Sequence, residues 1–377
     1  MLEALLDRKG ALSRQIGQAK RSNLSIDELL EEMKQVSGQI KALKDGAKLK
    51  NKVEPNKQES DCGKVSEVPP LFDDIPSNNV VLDLHVEIVQ ANDQEHCDVW
   101  NQYVQSKANS SIYQLWDFKK IIESSFGHKC RYLIARDASN KKIVGVLPSV
   151  EMKSRLFGHF LVSQPFFTYG SVLADKEEIE VSLHNALIDY AKDRGIEHIE
   201  FRGTRSSNAL KEQLPEKTSK VSMVRQLPRD ADTLWQDIGT KVRAQVKKSQ
   251  RFPLNIEFGK IELLDDFYRV FSENMRDLGT PVYSKRFFSN LLNSKLASSF
   301  TVGVVYHDKK PVAACFLMSH KNMMEIPWAS TLKAVNSMNV NMFMYWEVLS
   351  MAISSKHEFF DFGRSSKDAN TYRFKKQ

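Results

Sequence analysis

The stretch RYLIARDASNKKIVGVLPSV, residues 131–150, has a counterpart in FTVGVVYHDKKPVAACFLMS, residues 300–319. Each consists of an apolar run rich in β-forming residues, a polar turn with two adjacent lysines, and a second apolar run. This pattern predicts a strand–turn–strand unit. Because the unit occurs twice, the sequence indicates that one architecture is used in both halves of the chain.

The sequence that follows each unit repeats as well. A predicted helix over Leu183–Arg194 leads into HIEFRG (198–203), and a predicted helix over Met344–Ser354 leads into FFDFGR (359–364). Strands that alternate with amphipathic helices predict an α/β (α+β) fold with a mixed sheet, built from two copies of one unit. The other predicted elements of the first half are strands at Leu82–Val89, Arg131–Arg136, Ile143–Val150 and His198–Arg202, and a helix at Asp117–Phe126.

The beginning of the chain follows a different pattern. Apolar residues recur every three or four positions in two stretches, the a/d spacing of coiled-coil helices. Between them, Ser25 and Glu28 form an S-x-x-E capping box. We predict an antiparallel helical hairpin over residues 1–44, which is either a dimerisation zipper or a ligand-binding arm. Residues 45–79, rich in Lys, Asn, Ser, Glu and Pro, are expected to be a flexible linker.

Composition narrows the class of protein. The 377 residues are 41% hydrophobic and 27% charged, values of globular domains, which excludes wholesale disorder and a collagen-like fibre. Four widely spaced cysteines form no C-x-x-C motif, so neither a zinc site nor a disulfide framework is predicted. The N-terminus lacks the unbroken apolar stretch of a signal peptide, and no segment has about 18 consecutive apolar residues. We expect a cytoplasmic protein without an integral membrane segment.

The formal net charge of +7 is concentrated in two places. The first lies between Asp237 and Glu257, where five cations occur without an acid. On a helix, Arg243, Lys247 and Arg251 share one face. Such a face is either a rigid platform for phosphate groups or a solvated surface. We predict that Arg243 and Lys247 bind anionic groups of a substrate.

The second cluster of cations closes the chain, over residues 364–376. GRSS (363–366) follows an apolar run, so a strand is expected to carry a polar turn with Arg364 to the end of a sheet. If the last residues are extended, Tyr372 and Lys375 lie on opposite sides of the chain. The cluster therefore resembles a binding site more than a solvated surface.

Motifs between about residue 80 and the end of the chain carry a family resemblance. They are SSFGHKCRYLIAR (124–136), VGVLPSVEMKSRLFGHFLVSQPF (144–166), YGSVLAD (169–175), KVRAQVKKSQR (241–251), MRDLGTPVYSKRFF (275–288), EIPWAS (325–330) and FDFGRSSKDANTYRFKK (360–376). Together they resemble the FemA/FemB family of peptidyl aminoacyltransferases, whose fold is two tandem GNAT-type domains, and within it the branch found with exosortase (PEP-CTERM) and exopolysaccharide systems. The N-terminal hairpin resembles the tRNA-binding coiled-coil arm of seryl-tRNA synthetase.

The resemblance implies a first GNAT-like domain over residues 80–225 and a second over 226–377. In the family, the stretch matching RFKKQ (373–377) continues into a Trp-Gly pair and a final strand, so the second domain is expected to be C-terminally truncated. The implied activity is transfer of an aminoacyl group from aminoacyl-tRNA to an amine of a peptidoglycan or cell-envelope polysaccharide precursor. The expected partners are these two substrates, and no further cofactor is implied.

Aminolysis of an activated ester requires substrates held in line and positive charge or N–H donors near the developing oxyanion. No G-x-S-x-G motif or Cys-His pairing indicates a covalent nucleophile. Lys375 matches the lysine that the family places near the transferring carbonyl, so it is the expected catalytic residue. Glu325 and Trp328 are expected to line the acceptor pocket, and Arg364 and Tyr372 to contact substrate.

Two alternative functions stay open. A GNAT fold usually binds acyl-CoA through a Q/R-x-x-G-x-G/A loop at a helix N-terminus, and RLFGHF (155–160) begins that pattern but ends in Phe. A CoA-dependent N-acyltransferase is therefore one alternative. The other is a non-catalytic scaffold that binds a polyanion and associates with itself through the hairpin. Asp361 is expected to orient Arg364 or a backbone turn; no general base or metal ligand is predicted.

Overall fold

The structure of the protein is a computed structural model. It describes residues 83–89, 94–203, 210, 214–367 and 369–376, and, nearer the N-terminus, residues 8, 11, 12, 15, 28, 31, 32, 35 and 36. The chain divides into two compact units, Met1–Glu67 and Val68–Gln377.

In the N-terminal unit, every described residue is helical. Arg8 pairs with Glu32, with 2.6 Å between guanidinium and carboxylate, and Leu12 and Val36 are buried. A residue of the first predicted helix thus contacts a residue of the second. The rest of the predicted hairpin and the whole predicted linker over 45–79 lie outside the described residues.

The described residues of the C-terminal unit form three sheets connected by helices. The strands are β1 (Leu84–Val89), β2 (Lys129–Cys130), β3 (Tyr132–Asp137), β4 (Ile143–Leu147), β5 (Val150–Ser154), β6 (Gly158–Val162), β7 (Leu173–Ala174), β8 (His198–Glu200), β9 (Lys220–Gln226), β10 (Leu254–Gly259), β11 (Phe300–His307), β12 (Lys310–His320), β13 (Met323–Thr331) and β14 (Phe359–Ser366). The helices are α1 (Gln94–Ser106), α2 (Asp117–Phe126), α3 (Glu177–Asp193), α4 (Ala231–Asp237), α5 (Thr240–Ser249), α6 (Leu264–Asp277), α7 (Lys285–Leu292), α8 (Val340–Ser354) and α9 (Asn370–Lys376). The strand orders are β1-β3-β4-β7 and β2-β5-β6-β8 in the first half, and β10-β11-β12-β13-β14-β9 in the second.

The two halves repeat one arrangement of elements, as predicted. β3 and β4 pair antiparallel, and so do β11 and β12. Later in each half, a helix leads into a strand that runs parallel to its neighbour. In the first half α3 precedes β8, which pairs with β6, and in the second half α8 precedes β14, which pairs with β13. A parallel pair requires a long crossover connection, which the helix provides in both halves.

The predicted helix at Asp117–Phe126 has the same bounds in the structure, whereas the predicted strand over Ile143–Val150 is two strands. β4 and β5 belong to different sheets. Pro148 has no N–H to donate to a strand ladder, and the carbonyl of Ser149 accepts a hydrogen bond from the backbone N–H of Arg131 at 2.7 Å. The chain therefore changes sheets at this dipeptide.

The prediction of a polar turn at residues 363–366 is wrong, because β14 continues through Ser366. The irregularity is confined to Gly363, whose φ of +73° lies in a region that side chains disfavour. Here the register of β14 against β9 shifts between Asp361 and Arg364. A glycine bulge inside a strand thus takes the place of the turn.

The prediction that the last residues are extended is also wrong, because residues 370–376 form helix α9. The Phe374 ring packs edge-on against Tyr345, with centroids 5.2 Å apart. This contact holds the helix against α8 and, through it, against the six-stranded sheet of the second half. Tyr372 and Lys375 consequently do not alternate across a strand.

One hydrophobic cluster joins the two halves of the C-terminal unit. It includes Tyr113 and Phe118 of the first half and Phe287 and Phe316 of the second, each with no exposed surface. Full burial of an aromatic side chain contributes about 1.5–3 kcal/mol. Because the two halves share a core, side chains from both are held in a fixed arrangement where the halves meet.

Candidate functional site

The parallel strands β13 and β14 separate part-way along their length. Their pairing runs from Met323 to Glu325 on β13 and from Phe359 to Asp361 on β14. Beyond these residues the two strands diverge. Backbone groups that no longer bond across the gap are available to a ligand.

A cavity of about 510 Å³ opens at this separation, a volume typical of small-molecule sites. Its walls come from both halves, and its aromatic side chains include Phe166, Tyr283 and Trp328. Among the described residues, the lining contains no aspartate or glutamate. It contains four cations: Arg202, Lys220, Arg364 and Lys375.

Lys375 reaches the cavity from α9. Its ammonium donates hydrogen bonds to the carbonyl oxygens of Gly363 and Arg364, both at 3.2 Å. Burial lowers the pKa of this ammonium, and the carboxyl groups of Asp361 and Glu325 oppose that shift. Because an ammonium has three N–H groups, one remains for a ligand in the cavity.

Two arginines, one from each half, also face the cavity. The Nε of Arg202 donates to Glu200 at 2.7 Å, and its Nη1 donates to the carbonyl oxygens of Pro165 and Phe167. The guanidinium of Arg364 has no hydrogen-bond partner among the described residues. Burial and then the positive charge of Arg202 lower the pKa of Arg364. Two cations that repel each other in one cavity favour an anion between them.

Ser365 belongs to the same wall, and its hydroxyl is buried. The residue is 4% exposed and lines the cavity. In the part of the chain that the structure describes, its Oγ finds no hydrogen-bond partner. Burying a polar group without a partner costs about 1–3 kcal/mol.

Glu325 lies beneath the cavity and is 5% exposed. One carboxyl oxygen accepts a hydrogen bond from the hydroxyl of Tyr113 at 2.6 Å, and the other accepts one from Thr168 at 3.0 Å. Burial raises the pKa of Glu325 to about 7, although both hydrogen bonds and the charges of Lys375 and Arg364 oppose the rise. A carboxyl group of the second half is thus fixed by two hydroxyls of the first.

Asp361 is fully buried and stands opposite Glu325 in the β13–β14 register. Its Oδ1 accepts the backbone N–H of Gly363 at 2.7 Å, whereas its Oδ2 has no partner among the described residues. Burial raises the pKa of Asp361 to about 6, against the opposing effects of that N–H and of Lys375. As predicted, Asp361 orients the backbone, here at the bulge.

The cavity brings together part of the predicted site. Trp328, Arg364 and Lys375 line it, and Glu325 lies behind the lining instead of in it. Three predicted substrate ligands lie outside the lining: Arg243, Lys247 and Tyr372.

Arg243 bonds to backbone. Its Nη1 donates to the carbonyl oxygens of Trp235, Gln236 and Ile238 at 3.1, 3.0 and 2.9 Å, at the C-terminal end of α4. Carbonyls at a helix C-terminus lack helical partners and are stabilised by a cation. Lys247 is exposed on α5, with its ammonium 5.9 Å from the centroid of the Trp235 ring. The predicted phosphate ligand Arg243 is therefore a helix cap in this structure.

We expect Arg243→Ala to lower the free energy of unfolding by about 1–2 kcal/mol, because three carbonyls lose their donor. Urea denaturation measures the change. Lys241→Ala, an exposed position on the same helix, is the matched control and should change stability by less than about 0.5 kcal/mol. Equal losses in the two variants would contradict the capping role.

Sequence reasoning missed the residues that the first half contributes. Arg202 and Thr168 line the cavity, and Tyr113 lies beneath it. The internal repeat held a signal for Arg202, because HIEFRG (198–203) and FFDFGR (359–364) each have an arginine in the last two positions of the repeated segment. No local pattern marks Thr168 or Tyr113, since their contacts are made between the halves.

RLFGHF (155–160), which begins the acyl-CoA pattern, lies at the turn between β5 and β6. That pattern acts through N–H groups at the N-terminus of a helix. Here the segment leads into a strand, so it does not present those groups.

Other kinds of site find little support in the described residues. Cys97, Cys130 and Cys315 are buried free thiols, and burial raises the pKa of the Cys315 thiol to about 12, which does not suit a nucleophile. No group of three His, Cys, Asp or Glu side chains is placed to hold a metal ion in the described ranges. Within the same ranges, no helix has the length and apolar character needed to cross a bilayer.

Comparison with known proteins bears on the fold of the chain. Residues 239–376 match the family model of the acetyltransferase (GNAT) domain. The chain is similar to the crystal structure of FemX, with a TM-score of 0.56 and 15% identity, over 77% of this chain and 93% of FemX. It is also similar to a tandem GNAT protein from the clavulanic acid biosynthesis pathway, with a TM-score of 0.49 and 9% identity, over 78% of this chain and 93% of that one. No curated protein sequence matches the chain significantly.

The family match and the FemX comparison confirm the predicted fold, a mixed α/β structure of tandem GNAT type. Residues 239–376 form a GNAT acyltransferase domain, and the cavity lies against its last two strands. The prediction that the protein is an acyltransferase is confirmed, whereas its donor and acceptor stay predictions. The domain boundaries at 79/80 and 225/226, the cytoplasmic location and self-association through the N-terminal hairpin stay predictions.

Proposed function

We propose that the protein transfers an aminoacyl group from aminoacyl-tRNA to an amine of a peptidoglycan or other cell-envelope polysaccharide precursor. The GNAT domain and the FemX-like fold support acyl transfer. The observation that carries the proposal is the position of Lys375, which lines the cavity where β13 and β14 separate and has one N–H beyond its two bonds to backbone carbonyls. The sequence resemblance to aminoacyltransferases supports the choice of donor and acceptor.

The reaction joins the amine nitrogen of the acceptor to the ester carbonyl carbon of the donor. As the C–N bond forms, the carbonyl oxygen takes up negative charge. When the bond between the carbonyl carbon and the ribose oxygen breaks, that oxygen leaves with the proton that the amine gives up. The atoms balance without another reactant, so the protein has to align the two substrates and stabilise the oxyanion.

The described groups fit these tasks. Lys375 provides the N–H donor and positive charge for the oxyanion. Arg364 and Arg202 are suited to phosphate groups, because a guanidinium forms two parallel hydrogen bonds to an oxyanion. Together with Lys220, these three residues give the lining four positive charges. Among the described residues, the lining has no negative charge. This charge favours substrates that carry several phosphates or carboxylates, as tRNA and phosphorylated precursors do.

We expect Arg364→Ala to raise KM for the anionic substrate on the order of tenfold while kcat changes less, because a charge-assisted pair is lost from the bound state. Arg364→Lys should recover part of the affinity, since it keeps the charge without the bidentate geometry. Steady-state kinetics measure both values. Arg373→Ala, an exposed position on α9, is the control; a similar rise in its KM would contradict a specific role for Arg364.

The proposal is tested by incubating the full chain with labelled aminoacyl-tRNA or labelled acyl-CoA and a panel of peptidoglycan and polysaccharide precursors. Label that moves from tRNA to a precursor amine supports the proposal. Label that moves from CoA alone replaces it with a CoA-dependent N-acyltransferase. If neither donor supplies label while the protein still binds tRNA, it is a polyanion-binding scaffold and the proposal is wrong.

A further inference from the structure

The turn between β5 and β6 places two large apolar side chains in solvent. Leu156 is 82% exposed and Phe157 is 73% exposed. They are adjacent in sequence at the tip of a hairpin whose strands pair from Val150–Ser154 to Gly158–Val162. Single exposed apolar residues are common on protein surfaces, but two adjacent ones at a projecting tip are typical of a surface that contacts an apolar phase.

Two backbone N–H groups of this turn already have a hydrogen-bond partner. The hydroxyl of Ser154 accepts hydrogen bonds from the N–H groups of Leu156 and Phe157 at 3.2 and 3.3 Å. Gly158, with φ of +92°, closes the turn. A free N–H group is costly to move out of water. The tip can therefore enter an apolar layer without carrying two unpaired N–H groups with it.

Cations flank the apolar pair. Lys153 and Arg155 are exposed, and neither forms an ion pair with a described residue. The carboxylate of Glu197 lies at the base of the turn, where it would stand 2.7 Å from a Cβ placed on Gly158. The charges of Lys153, Arg155 and Glu197 therefore sum to a net positive charge around the turn. Long basic side chains beside an apolar tip can keep their charges at the level of lipid phosphates while the tip lies deeper.

We propose that the β5–β6 hairpin docks the protein on an anionic lipid bilayer, with Leu156 and Phe157 inserted at the interface and Lys153 and Arg155 against the headgroups. The contact is peripheral and reversible, since two apolar side chains bury far less surface than a membrane-spanning helix. This proposal does not depend on the donor or acceptor of the acyl transfer reaction.

Flotation of the full chain with vesicles tests the proposal. Wild type should bind vesicles of phosphatidylcholine and phosphatidylglycerol, and bind weakly to phosphatidylcholine alone. The double variant Leu156→Ser/Phe157→Ser should bind the anionic vesicles on the order of tenfold more weakly. Lys153→Ala and Arg155→Ala should each weaken that binding roughly fivefold, with the difference disappearing at high salt.

Leu278→Ser is the matched control, because Leu278 is 65% exposed on a different segment; it should bind vesicles as wild type does. All variants should unfold at the wild-type temperature, since the replaced side chains are exposed. The proposal is overturned if wild type does not bind anionic vesicles or if Leu278→Ser loses as much binding as the double variant. It is equally overturned if the double variant binds as wild type does and only self-association, measured by sedimentation velocity, changes.

Discussion

Lys375→Ala is expected to lower kcat of acyl transfer by about 10²–10³-fold with a smaller change in KM. The ammonium donates two hydrogen bonds to the carbonyls of Gly363 and Arg364, which leaves its third N–H for a ligand, and Lys375 lines the cavity. Removal of one donor to an oxyanion costs about that factor in enzymes that use such donors. Single-turnover kinetics with saturating donor and acceptor separate this effect from binding.

Two companion variants decide how that result is interpreted. Lys376→Ala, at the next and exposed position of α9, removes one charge from the same helix and should keep kcat within about threefold of wild type. Lys375→Met keeps most of the aliphatic stem but has no N–H, so it should be as inactive as Lys375→Ala. A Lys375→Met variant with near wild-type kcat would show that the side chain acts through packing and would remove Lys375 from the mechanism.

The sequence predicted the fold well where the pattern was long. The strand–turn–strand repeat and the helix–strand repeat involve many residues with regular apolar spacing, and both halves adopt them. The prediction failed where the pattern was short. The alternation of aromatic and basic side chains at the C-terminus is only a few residues long, and such a run does not distinguish strand from helix. The contact between Phe374 and Tyr345, which favours the helix, joins residues distant in sequence.

Only part of the candidate site was predicted, because local sequence patterns do not show contacts between residues distant in sequence. Arg364 and Lys375 belong to one basic cluster close to each other in sequence, and the structure places both at the cavity. A cluster of cations in the sequence does not show which way each side chain points. The Arg243 side chain bonds to carbonyls at the end of α4 instead of lining the cavity. Thr168 and Tyr113 depend on how the two halves pack. That packing is decided by a shared core and not by any local motif.

The network around Glu325 predicts a dependence of stability on pH. Burial raises the pKa of this carboxyl to about 7, from 4.5 for an exposed glutamate. Between these pH values the folded state holds a proton that the unfolded state releases, so the free energy of unfolding falls as pH rises. This contribution is fully present below pH 4.5 and is lost as pH passes 7. Integrated over that window it amounts to about 3 kcal/mol.

Glu325→Gln should remove this dependence, because the amide does not titrate and its NH₂ can donate to the hydroxyl oxygen of Tyr113. Relative to wild type, the variant should gain about 3 kcal/mol in free energy of unfolding between pH 4.5 and pH 8, measured by urea denaturation at several pH values. Asp361, whose raised pKa acts in the same direction, is present in both proteins and largely cancels in the difference. Glu257→Gln, an exposed carboxyl on β10, should leave the pH dependence unchanged. If the difference in free energy of unfolding between Glu325→Gln and wild type instead stays constant from pH 4.5 to pH 8, Glu325 is ionised in the folded protein throughout this range. Its hydrogen bonds to Tyr113 and Thr168 would then stabilise a charge beneath the cavity, opposite Lys375.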